Sequence, residues 1–224
     1  MLITVYVKSF FVFFISLFLL KAKKSLIILI FTRFALTLPQ HLILHTMNTI
    51  TIKDKTFKTF IPEEEILKNV KAVAERINND LAGKNPLFLA VLNGSFMFAA
   101  DLMRYVNIPC EISFVKLASY QGTTSTGVIK EVIGLNEDLN GRTVVIVEDI
   151  VDTGLTMKRM IETLGTRSPE AVHVCTMLLK PGKLQVPLDI EYVAMEIPND
   201  FIVGYGLDYD QQGRNLRDIY TLVE

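Results

Sequence analysis

Uninterrupted apolar runs alternate along this chain with segments in which apolar residues recur at helical spacing. Leu87–Leu92 and Thr143–Val147 carry no polar alternation, as in strands buried on both faces of a parallel sheet. Ile50–Phe60, Glu111–Ala118, Ala171–Leu179 and Glu191–Ile197 predict further strands. Between them, Ile66, Val70, Val73, Ile77 and Leu81 share one helix face. Pro62 suits the first turn of that helix, Glu63, Glu64 and Glu65 suit the positive end of its dipole, and Gly83 with Asn85-Pro86 stops it. Phe96, Met97, Ala100, Leu102 and Met103 predict a short second helix, and Leu155, Met160, Ile161 and Leu164 a third. Glu131–Gly134 reads as a strand that the Asn140-Gly141 turn pairs with the strand from Val144. Strands and helices in this order predict an α/β fold, a mainly parallel sheet flanked by helices, with ligands at the carboxyl ends of the strands.

The densest chemistry follows the run at Val144–Val147. Glu148 and Asp149 end it, Asp152 comes next, and Thr153, Gly154, Leu155 and Thr156 lead into the third helix. Buried carboxylates without partners are costly, so the acids should face a ligand or a cation. A Gly- and hydroxyl-rich turn at a helix N-terminus offers free N–H groups and the helix dipole to an anion. Acids and a phosphate cradle conflict unless the ligand is a sugar phosphate. Its phosphate then sits on Asp152–Thr156, and Glu148 and Asp149 take ribose hydroxyls directly or through a divalent metal. A capped strand–turn–helix explains one acid but not three.

Elsewhere the signals are weaker. Asn93-Gly94-Ser95 is either a plain strand-to-helix turn or a second anion loop. The stretch 119–130 is rich in Gly, Ser and Thr and reads as a solvated loop or as a lid over a site. Lys180 closes a strand, where it either points into a ligand crevice or snorkels at the surface.

The stretch 148–156 resembles the 5-phosphoribosyl-1-pyrophosphate (PRPP) loop of type I phosphoribosyltransferases. The C-terminal stretch Pro198-Asn199-Asp200-Phe201-Ile202-Val203-Gly204-Tyr205-Gly206-Leu207-Asp208 narrows the resemblance to the hypoxanthine(-guanine) branch, over about residues 47–224. The resemblance implies a small hood built from both ends of the domain. It implies transfer of a phosphoribosyl group from PRPP to a 6-oxopurine in purine salvage, in the cytoplasm, with Mg2+ as cofactor and a dimer or tetramer as the assembly. It casts Glu148, Asp149 and Asp152–Thr156 as PRPP-binding, with Asp152 the proton partner of the purine. Asn93, Gly94 and Arg214 fall at pyrophosphate contacts, although the family often has Lys where this chain has Asn93. Phe201 matches the aromatic that stacks on the purine, Ile202 the backbone contact to the base edge, and Lys180 the donor to the 6-oxo group. Glu148, Asp149 and Asp208 match metal-holding acids, and Ser119-Tyr120 matches the mobile loop.

Composition bounds the rest. The net charge of −1 over 224 residues leaves no basic field for nucleic acid, which counts against an RNA-binding regulator on the same fold. Cys110 and Cys175 lie in apolar runs and read as buried thiols of a reducing compartment, and His41, His45 and His173 form no ligand-spaced cluster. Residues 1–46 differ from the remainder. Ser9–Leu20 and Ser25–Phe31 are apolar runs separated by Lys21, Lys23 and Lys24, each short for a membrane span. The polar stretch from Met47 looks like a soluble N-terminus, so 1–46 reads as an extension outside the fold, an upstream start-codon artefact rather than an anchor, with no stable membrane partner. A membrane-anchored PRPP sensor is the rival, and the set Lys180, Phe201 and Asp208 speaks for catalysis instead.

Overall fold

The computed structural model describes residues 49–117 and 132–223. The readings of residues 1–46 and of Ser119-Tyr120 fall outside them. Strands β3 (Leu87–Leu92), β4 (Glu111–Leu117), β5 (Val132–Ile133), β6 (Thr143–Val151), β7 (Ala171–Leu179) and β8 (Tyr192–Glu196) form one sheet in the order β5-β4-β3-β6-β7-β8. All its pairings are parallel except that of β5 with β4. Helices α1 (Glu63–Asp80), α2 (Phe96–Tyr105) and α3 (Leu155–Gly165) cover it. Alternate residues of each central strand point to opposite faces, which explains why those strands read as continuous apolar runs. Phe88, Ala90, Val145, Val147, Cys175 and Met177 meet the core face of α1 and α2. Leu87, Leu89, Val91, Val144, Ile146 and Val174 meet Met157, Met160 and Leu164 of α3. The predicted α1 residues Ile66, Val70, Val73, Ile77 and Leu81 are all buried.

The hood is a second, antiparallel sheet in the order β1-β2-β10-β9. It joins β1 (Thr49–Ile52) and β2 (Lys55–Ile61) at one end of the domain to β9 (Ile202–Val203) and β10 (Ile219–Leu222) at the other. Ile52, Phe57, Val203 and Tyr220 form its core.

Three expectations are corrected. Ile50–Phe60 is not one strand but a hairpin, β1 with β2, turning at Lys53-Asp54, where Lys53 takes φ 53°. The strand around Val132 pairs with β4 (Lys116↔Ile133, Leu117↔Val132) and not with β6, because β3 and β7 already occupy both edges of β6. The Asn140-Gly141 turn is made, with Gly141 at φ 67°, but the Gly141 N–H donates to the Ser168 carbonyl at 2.9 Å and closes no hairpin. Finally, the strand from Thr143 does not end at Val147 but runs to Val151.

That last difference makes the site. β6 pairs with β3 only as far as Ala90↔Val147, while on its other edge it pairs with β7 as far as Val151↔Leu179. From β3 the chain winds outward to β4 and β5, and from β6 it winds the other way to β7 and β8. The carboxyl ends of β3 and β6 therefore part at a topological switch point, where open α/β sheets form their ligand crevice. Phe88, fully buried mid-sheet, should lose about 3–5 kcal/mol of stability on replacement by Ala. Ile112→Ala, on an exposed side chain, should cost less than about 1 kcal/mol. Denaturant unfolding of the two variants checks the contrast.

Candidate functional site

The loop after β3, the end of β6 and the hood loop at Gly206 meet at this crevice. Glu148 and Asp149 lie in the part of β6 that β3 no longer covers. The Glu148 carboxylate accepts the Asp149 N–H at 3.3 Å, and that of Asp149 accepts the Ile150 N–H at 2.8 Å. The loop after β3 passes directly over them, and a Cβ on Gly94 would overlap the Asp149 carboxylate. Ser95, fully buried, fixes that loop by donating its hydroxyl to the Val91 carbonyl at 2.6 Å. Against its other side lies the hood loop at Gly206, whose φ of 99° and contact with the Gly94 carbonyl leave no room for a side chain.

Arg214 comes into the site through Gly206. Its Nη1 donates to the Gly206 carbonyl at 2.8 Å, the Gly206 N–H returns a bond to the Arg214 carbonyl at 3.0 Å, and its Nη2 lies 2.6 Å from Asp208 Oδ1. The other Asp208 oxygen accepts the Gln211 N–H at 2.8 Å. Gly94, Asp149, Gly206, Asp208 and Arg214 are thus linked in one chain of contacts, with Asn93 next to Gly94.

At the turn after β6, Gly154 takes φ 77° and packs against Leu184, Val186 and Leu188. α3 begins at Leu155, so its first N–H groups lack helical acceptors. Thr153 Oγ1 accepts the Leu155 N–H at 3.4 Å, and Leu155 and Thr156 are exposed. Exposed N–H groups at a helix N-terminus, with the dipole of α3 behind them, suit an anion. Asp152 stands at the edge of this turn. Lys180 Nζ lies 3.6 Å and Lys183 Nζ 3.3 Å from Asp152 Oδ2, whereas Asp152 Oδ1 is buried with no hydrogen-bond partner among the described residues. Lys180 is only 5 % exposed, which removes the snorkelling alternative.

Phe201 exposes nearly half its surface, 46 %, beside the Phe57 ring at 6.2 Å and the Tyr209 ring edge-on at 5.9 Å. Lys55 Nζ sits 5.7 Å from its ring centroid. Ile202 is buried on β9, the outermost strand of the hood sheet, so one edge of its backbone has no strand partner among the described residues. That edge can read a planar polar ligand stacked on Phe201.

A model of the phosphoribosyl transferase domain matches residues 61–210. Hypoxanthine-guanine phosphoribosyltransferase of Mycobacterium tuberculosis is 40 % identical over 166 residues, 71 % of this chain and 82 % of the relative. Hypoxanthine phosphoribosyltransferase of Salmonella typhimurium is 40 % identical over 164 residues, 72 % of this chain and 92 % of the relative. A solved Trypanosoma cruzi hypoxanthine phosphoribosyl transferase superposes with a TM-score of 0.71 at 38 % identity, covering 78 % of this chain and 95 % of that one.

The chain belongs to the hypoxanthine-guanine phosphoribosyltransferase family.

The matched domain contains every candidate described above except Lys55, which precedes it, and Arg214, which lies beyond residue 210 and stands on its contacts with Gly206 and Asp208. Three participants were not read from the sequence. Lys183 reaches Asp152 from the 3-10 turn Pro181–Lys183, Lys55 covers Phe201 from β2, and Gly206 holds the hood loop against Gly94. Pro181-Gly182 signalled a turn that could return Lys183 towards Asp152; nothing local signalled the other two.

Glu148, Asp149 and Asp208 were expected to hold magnesium. Among the described residues no three acid, His or Cys side chains converge as a ready metal cluster. Magnesium needs none, since it keeps several waters and takes one or two carboxylates together with substrate oxygens. The half-buried Glu148 and Asp149 suit that donor set; Asp208, engaged by Arg214 and Gln211, is the weaker donor.

Loss of water around the pair, and Asp149 beside it, hold the Glu148 carboxyl well above the usual range. Loss of water also raises Asp149, against the opposing pull of its bond with Glu148, local N–H groups and Arg214. A carboxyl raised in the folded state keeps its proton longer than the unfolded chain does. The fold therefore loses stability as pH climbs from about 4 through the raised values. Glu148→Gln with Asp149→Asn should remove that penalty. The double variant should be at least as stable as the parent at pH 7, with a flatter melting profile between pH 4 and 8, and should lose turnover by orders of magnitude. A melting series across pH, run beside the assay, checks both halves.

Proposed function

We propose that this protein is a purine-salvage enzyme that transfers the 5-phosphoribosyl group of PRPP to N9 of hypoxanthine or guanine, giving IMP or GMP and pyrophosphate. The observation that supports the assignment of residues is Asp152: one oxygen held by two ammonium groups, the other buried, unpartnered among the described residues and beside the anion-binding turn. A buried acceptor without a donor costs about 1–3 kcal/mol, and an incoming N–H removes that cost. The purine imidazole supplies such an N–H.

The 5-phosphate sits on the N–H groups of Thr153–Thr156, and the ribose hydroxyls donate to Glu148 and Asp149. Arg214 and the backbone at Asn93-Gly94 receive the pyrophosphate. The bond from C1 of the ribose to the pyrophosphate oxygen breaks, and its electron pair leaves with pyrophosphate. The purine nitrogen bonds to C1, and the imidazole proton passes to Asp152 Oδ1. Positive charge on the sugar ring develops beside the acid pair, which is already in place and needs no reorganisation. Glu148, Asp149 and Asp208 would hold Mg2+, which when bound neutralises charge on the leaving group. The base stacks on Phe201, with its edge at the free side of Ile202 and its 6-oxo group at Lys180. Cys110 and Cys175 are unpaired thiols, which accords with a cytoplasmic enzyme. No described helix is long and apolar enough to cross a membrane. Assembly as a dimer or tetramer belongs to the same proposal; the Trypanosoma cruzi relative is one whose C-terminal region was studied for its role in oligomeric state.

Lys180 makes the base choice testable. A 6-oxopurine offers an acceptor at C6, whereas adenine offers an amino donor, and lysine can only donate. Two facing donors in a closed site leave each other unpaired, which corresponds to discrimination of at least about tenfold to a hundredfold. The protein should use hypoxanthine and guanine and reject adenine. Lys180→Ala should lower kcat/KM for hypoxanthine far more than it weakens PRPP binding, and should shrink the hypoxanthine-to-adenine ratio. Steady-state kinetics with each base in both proteins decides it, and an unmoved ratio would remove Lys180 from base recognition.

A further inference from the structure

Tyr205 is a residue that the reaction does not touch, yet its placement is unusually constrained. It has φ 48° between Gly204 at 107° and Gly206 at 99°, so three consecutive residues lie in the left-handed region, where a bulky side chain is disfavoured. A tyrosine stays there only if its surroundings hold it. Its side chain is 3 % exposed, and its hydroxyl donates to Asp101 Oδ2 on α2 at 2.8 Å. The other Asp101 oxygen is 3.3 Å from Arg104 Nη1. The Tyr205 N–H donates to the Leu216 carbonyl at 2.9 Å, which fixes the same residue to the strand return behind Arg214. Burial and the Asp101 carboxylate both push the phenol pKa upward, so the hydroxyl stays a donor.

What Tyr205 joins gives it meaning. α2 is the helix that continues directly from Asn93-Gly94-Ser95, and the loop at Gly204–Leu207 carries Asp208 and is laced to Arg214. Gly206, the next residue, rests on the Gly94 carbonyl. The phenol therefore spans, on the buried side, the gap between α2, which follows the Asn93-Gly94 loop, and the hood loop laced to Arg214. We propose that the Tyr205–Asp101 hydrogen bond is a positioning clamp that sets the spacing between the Asn93-Gly94 loop and Arg214, and so tunes pyrophosphate binding without touching substrate. This rests on the reading of Arg214 and Asn93-Gly94 as the pyrophosphate site. It gives one residue of the hood loop a task that belongs neither to the purine nor to the ribose phosphate.

The test uses the full chain in the reverse reaction, IMP with pyrophosphate. Tyr205→Phe keeps the ring and removes only the donor. It should raise the KM for pyrophosphate about tenfold, the usual effect of losing one hydrogen bond to a charged group. The KM for IMP should stay within about twofold, because the purine and phosphate subsites are held by other contacts. Asp101→Ala should reproduce the defect, and the double variant should be no worse than either single one. Asp101→Asn keeps an acceptor oxygen for the phenol and should restore near-normal pyrophosphate KM. A general structural role would instead raise both KM values together with a fall in Tm, and that result, like an unmoved pyrophosphate KM, would overturn the clamp. Arg214→Ala, assayed alongside, separates the two levels. If it leaves the pyrophosphate KM unchanged, the site reading fails and the clamp with it. If it raises that KM while Tyr205→Phe does not, the clamp alone fails.

Discussion

The site depends on how closely the Asp149 carboxylate and the hood loop approach the backbone at Gly94. The loop after β3 has the Asp149 carboxylate on one side and Gly206 on the other, with no space at either for a Cβ. Everything else follows from that double contact. It places the Asn93-Gly94 turn against the end of β6, where β3 has already parted from it, and draws the hood loop, with Asp208 and Arg214, down onto the same spot. A crevice at a switch point is common to open α/β sheets. What is particular here is that its floor is an acid pair with raised pKa values, its wall a loop of bare backbone, and its roof an antiparallel sheet made from both ends of the domain.

Electrostatic opposition within a few residues gives the crevice its chemistry. Glu148 and Asp149 are kept half-buried at a cost in folding stability, next to a turn whose N–H groups and helix dipole attract anions. A ligand that is itself divided, with hydroxyls at one end and phosphates at the others, suits both, as the proposed function requires. Asp152 repeats the theme at smaller scale. Lys180 and Lys183 hold one of its oxygens and leave the other without a partner among the described residues. Sites commonly carry such unsatisfied groups at neutral pH because the substrate completes them.

Much of this was legible in the residues alone, for a physical reason. Leu87–Leu92 and Thr143–Val147 announce buried parallel strands because both of their faces must be apolar, and the α1 stripe announces its core face by period. The acid cluster and Gly154 were legible because their chemistry is packed into nine consecutive residues. What escaped was set by contacts between distant segments. The pairing of β5 with β4 turns on which strand edges are free, and the hairpin at Lys53-Asp54 was hidden because its two turn residues include no Gly, Pro or Asn to mark it. Lys183 as a partner of Asp152, and Gly206 as the seat of Gly94, depend on packing between elements that no local pattern encodes.

Bare backbone at Gly94 holds the acid pair, the loop after β3 and the hood in register. Calorimetric titration of Gly94→Ala with PRPP and magnesium tests it most directly, because the added methyl must displace the Asp149 carboxylate or the loop itself. The variant should remain folded by circular dichroism, and its Kd for PRPP should rise at least about tenfold above that of the parent protein, a loss of about 1.4 kcal/mol or more. A folded variant that binds PRPP as tightly as the parent would contradict the account.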